Sequence, residues 1–575
     1  MNYIWSKFRT EVVDYLKKQG IAEDKMVLET PPAGVRGHLA FACHVLAREY
    51  KKNPANIAAE IAGNFANTNG GLVGEVVATG PYVNFLVDGR VFLPFLQTEL
   101  DAGKDMYGSL PAQGQKIGIE FVQPNTNKAL SIGHARNASL GWSMSQVLKF
   151  AGYEVVRINL FNDRGVHICK SMLAYQKWGN NSTPADEGLK PDHFVGKYYA
   201  MFTQKSVADE SLEKEAQVML KKWEEGDNEV LALWKKMTKW FYEGVEETFR
   251  RYGIEYDQIY YESDLYQHGK EIIEKALKKG YCYRLADGAI EVDLEAKQLG
   301  KKILQRRDGT SVYIVQDLYL AKKKFADLQL DWSIYVVADE QKYHFDVLFE
   351  LLDKFEIVDR EKNYHLAYGM VNLKSGKMSS RRGTVVKMDD LLDELHILAK
   401  EQIAIREADL PAMELDKRAE KIAQAAMKYN LLNQDKNRVI LFNKEEAIKF
   451  EGDTGPYLLY TYARVMSIWQ KSGLDAWPAV DWSQFVGSDE YLEIMTQLAR
   501  FSTVIKKVAE EYNPAILAKY LYTLAQLYNS YYHHRRILDA KDEIDRQSGL
   551  VLSLAVAQIL RIGLSLMGIE VVEKM

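Results

Sequence analysis

One stretch of this chain constrains its fold more than any other. A short apolar run, Ile117-Gly118-Ile119-Glu120-Phe121-Val122, leads into a polar loop from Gln123 to Ser131. Apolar residues then recur at Leu140, Met144, Val147 and Leu148, which share one face of a helix, and Gly152 ends that pattern. A second apolar run, Val155 to Leu160, follows. Strand, helix and strand within about 45 residues make a βαβ unit, and so a parallel sheet with right-handed crossovers. The loop leaves the C-terminal end of the first strand, the edge where parallel α/β sheets bind ligands.

The chain has 575 residues, enough for about three to five domains, and 47% hydrophobic residues supply more than one core. A formal net charge of −5 argues neither for nor against nucleic acid, because binding needs a local basic surface rather than a basic total. Cys43, Cys169 and Cys282 lie far apart without a CxxC pair. They suit reduced thiols in a cytoplasmic protein, not a disulfide scaffold or a thiolate zinc site, and no protein-bound metal is expected. The N-terminus lacks the order of a signal peptide, and no run approaches 18 apolar residues, so no membrane span is expected.

The sequence divides into three parts. Residues 1–112 read as a small α+β domain. It has a helix over Phe8 to Lys18, an amphipathic helix through Leu39, Val45, Leu46 and Ala47, and strand-like runs at Val76-Val77 and Val83 to Val87. Gly103 to Gln115 reads as a linker. Residues 113–415 read as an α/β, Rossmann-like parallel-sheet catalytic domain. A charged helical insertion at about 180–290 interrupts it, and strand-like runs return at Ala289 to Val292, Ser311 to Val315 and Ile334 to Val337. Residues 416–575 read as an all-α bundle, with helical spacing over Ala419 to Leu432, Tyr457 to Trp469, Leu517 to Tyr532 and Gly549 to Leu566.

The chemistry of the polar loop is that of a phosphate site. A helix N-terminus offers free N–H groups and partial positive charge. Gly133 lets a ligand approach the backbone, His134 can donate to phosphate oxygens, and Lys128 adds a positive charge. There is neither a GxGxxG fingerprint nor a Walker A loop. Taken alone, a Gly-His pair is more often a glycine turn with a surface histidine.

The longer context carries a resemblance. Gln123 to Asn137 resembles the His-Ile-Gly-His signature of class I aminoacyl-tRNA synthetases, and the flanking Pro124-Asn125, Lys128 and Gly133-His134-Ala135-Arg136-Asn137 resemble the arginyl branch. Ser375-Gly376-Lys377-Met378-Ser379-Ser380-Arg381-Arg382-Gly383 resembles the family's Lys-Met-Ser-Lys-Ser loop. Two departures stand out. Ser131 occupies the place of the first signature histidine, and Ser380 that of the second lysine, which leaves Arg381 or Arg382 to supply its charge. The resemblance implies an ATP site of Lys128, Gly133, His134, Lys377, Met378 and Ser379. Of the residues around it, Lys128, Ser131, His134, Lys377 and Arg381 act on the reacting phosphates.

Arg307-Asp308-Gly309-Thr310 through Asp317, and Ala338 to Phe345, also resemble arginyl-synthetase segments. By that resemblance Tyr313, Asp317 and Gln341 hold the guanidinium of L-arginine, while Glu120 and Asn125 hold its α-amino and carboxylate end. Asn162-Asp163-Arg164-Gly165 belongs to the architecture of the site. Residues 1–112 resemble the family's N-terminal tRNA-contacting domain, and Glu451 to Tyr457 with Ala463-Arg464 resemble the start of its anticodon-binding domain. Arg464, Tyr531, His534 and Arg535 are then candidates for tRNA contact, aromatic surface mixed with positive charge. The implied activity is arginine–tRNA ligation. ATP with Mg²⁺, L-arginine and tRNA are its partners, and the enzyme is expected to be a cytoplasmic monomer that uses no membrane. The alternative, a catalytically weakened paralogue that keeps a tRNA-binding role, rests on Ser131 alone.

Overall fold

The computed structural model describes residues 3–32, 34–67, 70–266, 268–373, 386–407 and 409–575. Lys377, Met378, Ser379 and Arg381 therefore lie outside the described residues.

The central sheet has five parallel strands: β1 (Lys116–Glu120), β2 (Glu154–Phe161), β3 (Gln258–Tyr261), β4 (Trp332–Ala338) and β5 (Asn363–Tyr368). Their spatial order is β5-β4-β1-β2-β3. The chain runs outward from β1 in one direction and returns to its other side at β4. The crevice beyond the C-terminal ends of β1 and β4 is the topological switch point, the place where such sheets bind ligands. Glu120, the last residue of β1, sits in register with Tyr335 of β4.

Helix α1 (Ile132–Phe150) follows the loop after β1. Leu140, Met144, Val147 and Leu148 are buried as their spacing requires, but so are Ala138, Ser139, Gly141, Ser143 and Ser145 on its other faces. The helix is thus enclosed rather than amphipathic, and small residues permit the close packing. A Cβ on Gly141 would lie 2.2 Å from the Phe121 ring. Helices α2 (Tyr313–Leu328), α3 (Lys342–Lys354), α4 (Met388–Arg406) and α5 (Ala412–Leu432) complete the surroundings of the site.

Three local readings change. Leu39–Ala42 is a strand rather than part of a helix, paired on Tyr82 to Phe85 in an antiparallel four-stranded sheet. A brief apolar run satisfies either period, and here cross-strand pairing decides. Ser311 to Val315 is not a strand, because α2 begins at Tyr313. The helical insertion comprises Pro191–Ser206, Ser211–Glu224 and Asn228–Tyr252, but β3 lies within the 180–290 span and forms the edge of the main sheet.

After α5 the described elements are almost entirely helical. Glu543–Leu566 is long and apolar enough to cross a membrane by length and composition. It is the central helix of the bundle, and 83% of its apolar window is buried inside the protein.

Candidate active site

At the end of β1 the backbone turns sharply. Val122 and Gln123 have φ of +76° and +40°, a region that costs non-glycine residues energy and that β-branched side chains rarely enter. Asn137 of α1 holds this turn. Its Oδ1 accepts the Val122 N–H at 2.7 Å, while its Nδ2 donates to the Val336 carbonyl at 2.7 Å and the Tyr368 hydroxyl at 3.1 Å. One amide thus ties the loop to β4 and β5. Asn162, just past β2, braces the other side, donating through Nδ2 to the Gln123 carbonyl at 3.1 Å and accepting the Thr126 N–H at its own carbonyl. Neither role was legible in the motif itself.

Ser131 caps α1 in extended conformation and its backbone N–H donates to His134 Nδ1 at 3.0 Å. That bond makes Nδ1 an acceptor, so the neutral ring carries its proton on Nε2. Burial, with the nearby Lys128 charge, pushes the His134 pKa down to about 4, so the imidazole is a neutral donor at physiological pH. Lys128 is itself half-buried, and burial lowers its pKa. The Ser131 hydroxyl lies 2.9 Å from Nδ1 of the same ring.

The opposite end of the crevice carries negative charge. Tyr313, Asp317, Leu320 and Lys324 form a stripe along α2 that faces the cavity. Asp317 Oδ2 lies 2.8 Å from His344 Nε2, and burial raises the Asp317 pKa against the pull of that histidine. The Asp317 charge in turn raises the pKa of Tyr313. Glu120 pairs with the fully buried Lys324, whose ammonium also sits 3.9 Å from the centre of the Tyr335 ring. Lys324 and His344 were not assigned from sequence. Lys324 stands seven residues beyond Asp317 on the same helical face, which was the available signal.

One cavity of about 720 Å³ collects these groups. Glu120, Asn125, Ser131, Gly133 and His134 line it from the β1–α1 side, and Tyr313, Asp317 and Gln341 from the β4 side. Lys128 does not line it, although its charge reaches His134. Met370 and Val371, just before the second basic loop, also line it. Val386 to Met388, just after that loop, bridge to Leu130 to Ile132 through Ile132 N–H to Val386 O at 3.2 Å and Met388 N–H to Leu130 O at 2.8 Å.

Asp163 anchors the insertion to the sheet, accepting the Ser263 N–H and hydroxyl at 2.8 Å each and the Tyr242 hydroxyl at 3.0 Å. One grouping of three ligand-type side chains, Asp192, His193 and Asp389, occurs among the described residues. The Lys190 ammonium already sits 3.1 Å from Asp192 and 3.0 Å from Asp389, so the donor set does not fit a divalent cation.

The candidates for tRNA contact separate. Tyr531 is only 6% exposed and packs edge-on against Tyr491, so it offers no free face for a base. The cause is helical phase: Tyr528 and Tyr531 face the bundle core, three residues apart. His534 and Arg535 are exposed at the end of that helix. Arg464 lies in a separate groove with Tyr460, Lys471, Tyr532 and Arg536, near the C-terminal Met575. Tyr460 and Tyr532 line that groove, and the Arg464 guanidinium lies 4.7 Å from the centre of the Tyr460 ring.

Three family models match the chain. They are an arginyl tRNA synthetase N terminal domain over residues 6–87, a class I (R) tRNA synthetase catalytic domain over 98–443, and a DALR anticodon binding domain over 458–575. An arginine–tRNA ligase of Parabacteroides distasonis is 38% identical, with 96% of each chain covered. One of Treponema denticola is 39% identical, again with 96% of each covered. The solved arginyl-tRNA synthetase of Thermus thermophilus superposes with a TM-score of 0.82 at 26% identity, covering 98% of both chains.

Proposed function

We infer the division of labour in this site from the premise that the chain belongs to the arginyl-tRNA synthetase family of class I enzymes. The enzyme activates L-arginine with ATP and transfers it to tRNA. A carboxylate oxygen of arginine attacks the α-phosphorus, the bond to the β-phosphate breaks, and pyrophosphate leaves. A hydroxyl of the terminal ribose of tRNA then attacks the arginyl carbonyl, and AMP leaves.

In our reading Asp317, Tyr313 and Gln341 receive the guanidinium, while Glu120 and Asn125 take the α-amino and carboxylate end. Carboxylate and carbonyl acceptors match the planar fork of five donors that arginine presents. Gly133 and His134 receive the ATP phosphates. The His134 Nε2–H is a preorganised neutral donor whose orientation the Ser131 N–H fixes, and Lys128 adds charge from behind. Ser131 adds a hydroxyl at the helix N-terminus. Lys377, Met378, Ser379 and Arg381 supply contact and positive charge to the leaving pyrophosphate. Mg²⁺ enters with the ATP phosphates as part of the substrate.

The domain reading is that 1–112 contacts tRNA, 113–415 catalyses and 416–575 binds the anticodon. Arg464, His534 and Arg535 contribute there, and Tyr532 rather than Tyr531 supplies the stacking face. We take the enzyme to be a cytoplasmic monomer that works away from membranes. The single observation that carries the assignment is the convergence of both substrate-binding groups on one cavity. It is tested by charging tRNA with labelled arginine, ATP and Mg²⁺. Wild type charges arginine, and His134→Ala loses about two orders of magnitude in rate. Full activity in His134→Ala would overturn the assignment. The weakened-paralogue alternative is the reading if wild type charges nothing while Ser131→His does.

A further inference from the structure

We propose that Asp389 is a positioning residue for the ATP end of the site, held by the helical insertion and acting through the backbone bridge to Leu130, Ser131 and Ile132. The inference rests on the reading that Gly133 and His134 receive ATP.

Asp389 lies in the first turn of α4, one residue past the segment Val386 to Met388 that pairs with Leu130 to Ile132. The residue is 6% exposed and its carboxylate's partners come from the insertion. Lys190 Nζ donates at 3.0 Å, Thr248 Oγ1 lies 3.0 and 3.2 Å from the two oxygens, and His193 Nε2 lies 3.2 Å away. Lys387 Nζ lies 3.4 Å from His193 Nδ1, which leaves Nε2 as the donor to Asp389. Against the upward push of burial, His193, Lys190 and Thr248 hold the Asp389 carboxyl at about 2.

Two insertion helices meet at this carboxylate, Pro191–Ser206 with His193 and Asn228–Tyr252 with Thr248. They are themselves locked together. A Cβ on Gly244 would lie 2.4 Å from the backbone nitrogen of Asp192. The first of these helices also touches the phosphate loop directly, since a Cβ on Gly196 would lie 3.3 Å from the backbone nitrogen of Ala129 and 3.5 Å from Lys128 Cα. The loop is therefore braced on two sides by one body, at Lys128-Ala129 by helix packing and at Leu130 to Ile132 through Asp389. Meanwhile α4 is seated on the core by Met388, Leu391, Leu392 and Leu395. The polar grip at its first turn is an addition to what anchors the helix. Its effect falls on the segment paired with the N-cap of α1, where His134 is oriented.

The test uses pyrophosphate exchange into ATP by the full chain with tRNA present. Thr248→Val removes one hydroxyl at constant shape and is expected to raise the KM for ATP about five-fold, and Asp389→Asn about ten-fold. The KM for arginine stays within about twofold of wild type in both, and Thr248→Ser restores the ATP value. The proposal is overturned if ATP and arginine KM rise together, if both variants keep wild-type ATP KM, or if Thr248→Ser fails to rescue. Should Asp389→Asn not fold by circular dichroism, the Thr248 pair decides alone. His134→Ala, run in parallel, separates the two levels. If it leaves exchange intact, the site reading falls. If it abolishes exchange while Asp389→Asn and Thr248→Val both leave the ATP KM unmoved, only the role of Asp389 falls.

Discussion

The guanidinium of Arg136, wholly buried in α1, donates to the main-chain carbonyl of Leu431 in the last turn of α5. It also reaches the carbonyls of Lys436 at 3.0 Å and Asp435 at 3.5 Å. Carbonyls at a helix C-terminus lack intrahelical donors and carry partial negative charge, so a cation there satisfies both needs. Burial lowers the Arg136 pKa only to about 10, and the group stays charged at neutral pH. Two residues after His134, the same helix thus joins the catalytic sheet to the helical part of the chain. Replacing Arg136 with Met strips the Leu431 carbonyl of this donor, while the Asp435 and Lys436 carbonyls keep the Arg438 and Gly369 N–H groups, and should destabilise the enzyme by about 2 kcal/mol. Arg136→Lys should recover less than half of that, because an ammonium cannot span the set that a planar fork reaches. Urea denaturation midpoints at equal slope measure both.

Burial disfavours the charged form of Asp317. Burial raises its pKa, and His344 offsets this only in part. Under the proposed reading, in which Asp317 receives the guanidinium, a cationic side chain offsets that cost. Asp317→Asn should therefore leave the melting temperature of the free enzyme unchanged or higher. It should also lower kcat/KM for arginine about a hundredfold or more, with ATP KM near wild type. A fall in melting temperature alongside the kinetic loss would show that the carboxylate is structural. Thermal denaturation and steady-state exchange on one preparation decide it.

Much of this site was legible because its parts announce themselves locally. The switch from period two to period 3.6 around Gln123 to Ser131, and the four-residue spacing of Tyr313 and Asp317, need no knowledge of distant contacts. What stayed hidden depended on partners far along the chain. Lys324 acquires meaning only beside Glu120, 204 residues away. The edge strand Gln258–Tyr261 has four residues in a charged span and joins the sheet only through β2. Tyr531 and Tyr532 are equivalent in composition, and their opposite fates follow from the phase of a helix set by its packing. The roles of Asn137 and Asn162 lie in loop geometry, at the positive φ of Val122 and Gln123, which no motif encodes.

His38, His134 and His167 are each held near a pKa of about 4 by burial, below their ordinary 6.5. On unfolding, each binds a proton between pH 6.5 and about 4 that the folded protein does not hold. Stability is therefore greatest above pH 6.5 and declines as the pH falls toward 4. The melting temperature should drop between about pH 7 and about pH 5, and His38→Asn should flatten that slope. His38 is the informative choice because it lies outside the cavity, with Nδ1 accepting the Val87 N–H at 3.0 Å, a bond that an asparagine oxygen can replace. The kcat/KM profile should show no limb near 6.5 from His134, which is neutral throughout. An unchanged slope in His38→Asn would place the acid sensitivity elsewhere.

Ser131 stands where the family signature places a histidine, and its geometry sets what restoring that histidine should do. The residue caps α1, lines the cavity, and meets His134 Nδ1 with both its backbone N–H and its hydroxyl. The backbone bond survives substitution, while the hydroxyl contact to the ring is lost. Ser131→His places a second imidazole beside the phosphates, a further donor where charge develops, and should raise the rate of exchange about tenfold. The hydroxyl is lost from the N-cap, so stability should fall by about 1 kcal/mol. A faster but less stable enzyme is the expected pair of outcomes, read by exchange kinetics and denaturation. A slower enzyme of equal stability would mean that the serine hydroxyl itself serves the phosphates, and the native site would then be an alternative solution rather than a weakened one.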